Sequence, residues 1–85
     1  MSYRIDWDPD VVVEVQRIYD AAQDQEAIVH AIRRASLELS QIPLESGESR
    51  GDNRRILFKY PLILWYRVNE RLQVVRVTHV KLLSP

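Results

Sequence analysis

The last third of the chain does most to limit the fold. Three apolar runs follow one another with only short punctuation between them: Arg54-Arg55-Ile56-Leu57-Phe58-Lys59, Leu62-Ile63-Leu64-Trp65-Tyr66-Arg67-Val68 and Leu72-Gln73-Val74-Val75-Arg76-Val77-Thr78-His79-Val80-Lys81. β-Branched and aromatic residues dominate each run, as a pleated, half-buried surface requires. The spacing predicts an antiparallel β-meander over residues 54–59, 62–68 and 72–81, with basic side chains interleaved among the apolar ones.

What can cover that sheet is limited by size. Eighty-five residues make one domain, expected over residues 1–85, and a chain of this length buries only about 60–65% of its unfolded surface. There is room for one sheet and one helical layer. Apolar residues at 46% and charged residues at 28% describe an ordinary globular chain. Without cysteine there is no disulfide framework and no thiolate metal site, and His30 and His79 stand too far apart in sequence to read as a ligand cluster. Neither a metal nor another cofactor is expected. The first residues, Met1-Ser2-Tyr3-Arg4-Ile5-Asp6, lack the basic-then-apolar pattern of a signal peptide. No run approaches the roughly 18 apolar residues of a membrane span, so a cytoplasmic protein with no membrane partner is expected.

Formal neutrality hides a separation of charge. Residues 1–48 hold four arginines against ten acidic residues, a formal −6, whereas residues 49–85 hold eight Lys or Arg against Asp52 and Glu70, a formal +6. A basic sheet over an acidic helical layer suits a polyanion bound on the sheet side. The competing reading is internal pairing, in which helical carboxylates neutralise the strand cations.

Ahead of the meander, Tyr3, Ile5 and Trp7 alternate on one face of a short expected strand. Asp8-Pro9 then opens a helix over residues 9–22, with Asp8 able to accept from the free N–H groups of the first turn and Pro9 tolerated at the first position. Val11, Val15, Ile18 and Ala22 fall at helical spacing. Asp24 caps a second helix in which Ile28, Ile32, Ala35, Leu39 and Ile42 recur every three or four residues until Pro43 stops it. The pair is expected to form a helical hairpin. Residues 43–53 contain both glycines and read as a mobile loop. Gly47 and Gly51 form no phosphate-binding loop, because no lysine followed by Ser or Thr leads into a helix.

Taken together, the order β-α-α-β-β-β and the carboxy-terminal block resemble the RelE/ParE superfamily of toxin–antitoxin toxins, also known as plasmid stabilisation proteins. The resemblance rests on the arginine-led strand Arg54-Arg55-Ile56-Leu57, the central strand ending Leu64-Trp65-Tyr66-Arg67-Val68, and the final strand Val75-Arg76-Val77-Thr78-His79-Val80-Lys81. It implies an α+β domain whose antiparallel sheet packs helices on one face and opens a basic groove on the other. In the RelE branch that groove cuts mRNA on the ribosome without a metal, using the RNA 2′-hydroxyl as nucleophile. Lys and Arg would hold the scissile phosphate and a side chain such as His would move protons.

Carried onto this sequence, the resemblance makes His79, Arg55 and Arg67 the candidate catalytic residues. Arg54, Lys59, Lys81 and Trp65 become candidate RNA-binding residues. His79 is favoured because imidazole titrates closest to working pH, although a lone histidine in an apolar strand is more often a packed residue. Trp65 and Tyr66 must face opposite ways, and Tyr66 is expected inside with Trp65 free to stack on a base. One departure stands out. Ribonuclease members usually carry an arginine three residues before the tyrosine, where this chain has Ile63; Arg67, sharing parity with Ile63 and Trp65, is the available substitute one step further along. That departure keeps two alternatives open: a ParE-like poison of DNA gyrase, and a non-catalytic binding module derived from a toxin. Under either toxin reading the expected partners are a cognate antitoxin and either the ribosome with its mRNA or DNA gyrase.

Overall fold

A computed structural model describes residues 2–83. The elements run β1 (Arg4–Trp7), α1 (Pro9–Ala21), α2 (Gln25–Gln41), β2 (Glu48–Ser49), β3 (Arg54–Lys59), β4 (Leu62–Asn69) and β5 (Val74–Leu82). They build one sheet in the order β1-β5-β4-β3-β2. The expected meander is β3-β4-β5, antiparallel throughout. β1 lies beside β5 and parallel to it, with Arg4 opposite Val74 and Trp7 opposite Val77. The amino-terminal strand thus extends the sheet at its carboxy-terminal edge, and the two helices carry the chain from one edge to the other.

The last strand begins at Val74 rather than at Leu72. Leu72 sits in the preceding turn, its N–H donating to the Asn69 side-chain carbonyl, and Gln73 takes φ +54°, which breaks the extended run. Residues 43–53 also differ from the sequence reading. Instead of a loop defined by composition alone, they contain β2, which pairs with β3 through Glu48 opposite Ile56 and Ser49 opposite Arg55. Gly51, Asp52 and Asn53, all at positive φ, make the tight return into β3. Ser46 is buried. Gly47 is required here: its φ is +65°, and a Cβ would come within 2.2 Å of the Ile56 carbonyl oxygen.

Both helices form for the reasons read from the sequence, with one exception. Asp24 accepts from the Ala27 N–H at 3.1 Å and caps α2, which ends just before Ile42-Pro43. Asp8 precedes α1 but makes no side-chain cap; its carboxylate turns outward to Arg76 on β5. The helices pack on one face of the sheet. Along β4, Leu62, Leu64, Tyr66 and Val68 are all buried while the residues between them are not. Leu64, Tyr66 and Val68 join Val11, Ala35, Leu39, Leu57, Val75 and Val77 in the main core, and Leu62 joins Ile18, Ile28 and Ala31 in a second cluster that continues it. Among the described residues, the opposite face of the sheet carries no helix.

Candidate nucleic-acid interface

On the open face the register of β3, β4 and β5 sets side chains in three rows. Arg54 lies opposite Arg67, and Arg67 opposite Arg76; Ile56, Trp65 and His79 form the next row; Phe58, Ile63 and Lys81 form the third. A concavity of about 900 Å³ spans the first two rows and reaches Lys81, with Asp8 and Asp10 at its rim.

His79 reaches this face because of one irregularity. In a regular strand that exposes Arg76, the side chains of Val77, His79 and Lys81 would all point towards the helices. Between β4 and β5 the register shifts: Tyr66 pairs with Val77 but Trp65 pairs with His79, leaving Thr78 as an extra residue in β5. Such a bulge reverses the alternation beyond it. Val77 stays in the core while His79 and Lys81 turn to the open face. The Thr78 hydroxyl donates to the Trp65 carbonyl oxygen at 3.3 Å, and its Oγ1 lies 3.2 Å from His79 Nδ1. The Trp65 and His79 rings meet edge to face, centroids 6.3 Å apart at 78°.

Three arginines directly opposite one another repel, since like charges in cross-strand pairs are destabilising. The ends of the row are relieved by carboxylates. Asp8 pairs with Arg76, and Asp52 approaches Arg54 at 3.8 Å. Arg67, in the middle, has no ion-pair partner among the described residues, and neither has Lys81. An unpaired guanidinium between two others, beside an exposed imidazole and a half-exposed indole, has the chemistry to hold an anion next to an aromatic face.

Two expected site residues do not belong to it. Arg55 follows Arg54 in the same strand and therefore faces the other way. Its guanidinium donates to the carbonyl oxygens of Ser46 at 3.0 Å and Gly47 at 3.3 Å. The Tyr66 hydroxyl, fully buried, lies 2.6 Å from that same Ser46 oxygen and 2.8 Å from the Pro43 oxygen. Burial raises the Tyr66 pKa above its ordinary 10.0, with the Arg55 charge opposing. Arg55 and Tyr66 together fasten the segment between α2 and β2. Lys59, likewise on the helix side, pairs with Glu38 of α2 at 2.9 Å. Here the internal-pairing reading holds, whereas on the open face charge is left over.

Trp65, Arg54, Arg67, His79 and Lys81 line one concavity, and Tyr66 is buried. Ile63 faces the open side, opposite Lys81. Arg67 is four residues further along, roughly 13 Å at the rise of a strand, so it does not occupy the place of Ile63; Lys81 is the nearer cation. Four polar residues of the concavity were not expected in a site from the sequence: Asp8, Asp10, Arg76 and Thr78. The pairing of β4 with β5 points to Arg76, which the short Asn69–Val74 return sets opposite Arg67. Nothing local marks Thr78 as a bulge. Among the described residues no group of three His, Asp or Glu side chains is placed to hold a metal, and no helix is long and apolar enough to cross a membrane.

No protein-family profile matches the sequence, and no curated protein resembles it in sequence. Solved structures do resemble it in fold. The toxin–antitoxin complex RelBE2 of Mycobacterium tuberculosis superposes with a TM-score of 0.78 at 15% identity, over 96% of this chain and 92% of the other. The archaeal RelE–RelB complex of Pyrococcus horikoshii gives 0.72 at 18%, covering 96% of each chain. The chromosomal ParDE system of Pseudomonas aeruginosa gives 0.70 at 17%, over 96% and 97%. With strand, helical hairpin and open-faced sheet in this order, the chain has the α+β fold of the RelE/ParE toxin–antitoxin structures.

Proposed function

We propose that this chain is the toxin of a type II toxin–antitoxin pair, and that its open face binds and cleaves mRNA on the ribosome without a metal. The observation that carries the reading is the row Arg54–Arg67–Arg76 set next to Trp65 and His79. A phosphodiester lying across the row gains charge-assisted hydrogen bonds and relieves the repulsion among the arginines. Trp65 offers a face to an unstacked base.

In the reaction so proposed, His79 Nε2 takes the proton of the 2′-hydroxyl. The 2′-oxygen attacks phosphorus, the bond to the 5′-oxygen breaks, that oxygen leaves as a 5′-hydroxyl by taking a proton from solvent water, and a 2′,3′-cyclic phosphate is left behind. Arg67, aided by Lys81, stabilises the extra negative charge on the non-bridging oxygens. Arg55 and Lys59 have no part in it. A cognate antitoxin is the proposed protein partner, and the cytoplasm, where ribosomes work, is the proposed site of action.

The test is to add the purified chain to mRNA-programmed ribosomes and map the transcript ends, alongside the Arg67→Ala/His79→Ala double variant. New ends in phase with codons, absent with the variant, are expected. Undisturbed mRNA would reject the reading. Ile63 and Phe58 make the third row apolar except for Lys81, and this favours the second reading, a ParE-like inhibitor of DNA gyrase. Loss of supercoiling by purified gyrase in the presence of the chain, with mRNA intact, would establish that alternative. If neither activity appears, a non-catalytic binding module is left.

A further inference from the structure

We propose that Thr78 is a positioning residue for His79: its hydroxyl, set between the Trp65 carbonyl and the His79 ring, holds the imidazole as the Nδ1–H tautomer and leaves Nε2 unprotonated towards the open face. A threonine hydroxyl has one proton to give. The Trp65 carbonyl oxygen, 3.3 Å away, is an acceptor only and takes it. Oγ1 is then an acceptor towards His79 Nδ1 at 3.2 Å, and that nitrogen must carry the ring proton. A free histidine side chain prefers its proton on Nε2, so the arrangement reverses the ordinary preference.

The geometry depends on the bulge. In a regular strand the side chains of adjacent residues point to opposite faces and a hydroxyl does not meet the next ring. Because Thr78 is the extra residue in β5, its hydroxyl stays beside the ring while His79 turns outward. The edge-to-face contact with Trp65 also restrains the ring. The catalytic consequence rests on the ribonuclease reading above: an unprotonated Nε2 is the form that accepts the proton of the 2′-hydroxyl.

Ring-nitrogen correlation spectra of the 15N-labelled full chain, recorded in alkaline buffer, report the tautomer directly. His30, exposed on α2, provides an internal reference. His79 is expected as Nδ1–H in the unsubstituted chain and in Thr78→Ser, and as Nε2–H in Thr78→Val. On programmed ribosomes Thr78→Val should lose on the order of tenfold in kcat with KM unchanged, and Thr78→Ser should stay within about twofold. An Nε2–H tautomer in the unsubstituted chain, or an unchanged tautomer in Thr78→Val, would overturn the proposal. If the tautomer reverses in the variant while no chain cleaves mRNA, the hold of Thr78 on the ring stands and only the ribonuclease reading fails.

Discussion

The two faces of this sheet treat the same kind of residue in opposite ways. Arg54 and Arg55 are neighbours in one strand. Arg55, facing the helices, spends its donors on the Ser46 and Gly47 carbonyls, and Lys59 two rows away is closed off by Glu38. Arg54, facing outward, joins a row of three arginines whose middle member has no carboxylate partner among the described residues. Cations on the helix face therefore hold the fold, while on the open face Arg67 and Lys81 stay without an ion-pair partner among the described residues. Composition sees a single basic half; only the division between faces separates paired from unpaired charge.

Substitutions can break this comparison. The largest effect is expected from His79→Ala, which should lower mRNA cleavage by about 10²–10⁴-fold while leaving the denaturation midpoint in place. A matching fall in midpoint would return His79 to a packing role. On the other face, Leu64→Ala removes a fully buried side chain from the main core and should cost roughly 2–5 kcal/mol in urea unfolding. Arg55→Ala should cost about 1–3 kcal/mol, because two charge-assisted hydrogen bonds to the Ser46 and Gly47 carbonyls are lost, yet the remaining folded protein should cleave RNA normally. If cleavage per folded molecule collapses instead, Arg55 belongs to the site.

Two smaller effects sharpen the contrast. Asp8 occupies Arg76, so Asp8→Asn should free a third cation for phosphate. The salt slope of RNA binding, measured by titration at several ionic strengths, should steepen by about 0.7. No change would mean that Arg76 lies off the RNA path. On the helix face, burial holds the Tyr66 phenol above its ordinary 10.0. The folded chain keeps that proton where the unfolded chain has already lost it. The resulting stabilisation is complete below about pH 10 and is lost as pH rises through the folded value. Unfolding midpoints should fall across that alkaline range, and Tyr66→Phe, lower in stability at neutral pH, should show a shallower fall.

Much of the fold was legible because it depends on short-range physics. Helical spacing ended by Pro43, the Asp24 cap, and the alternation Leu62, Leu64, Tyr66, Val68 each declare themselves within a few residues. Alternation also placed Trp65 opposite in sense to Tyr66, and Arg67 with Trp65. The same logic applied to Arg54 and Arg55 would have separated them, had the inward face of β3 been assigned first. β2 was not legible: two exposed residues, Glu48 and Ser49, carry no apolar pattern and are ordered by pairing with β3 and by the Tyr66 and Arg55 anchors.

From the sequence alone came the element order, the helix ends, the buried side of β4 and the excess of positive charge in the second half, since each is set by neighbours along the chain. Only the tertiary structure decided that β1 runs parallel beside β5, because which strands meet is a matter of how the helices return the chain across the sheet. It alone decided the side on which His79 lies. A period of two predicts the facing of a strand residue only while the register is unbroken, and the extra residue at Thr78 exists as a bulge solely by comparison with the partner strand β4.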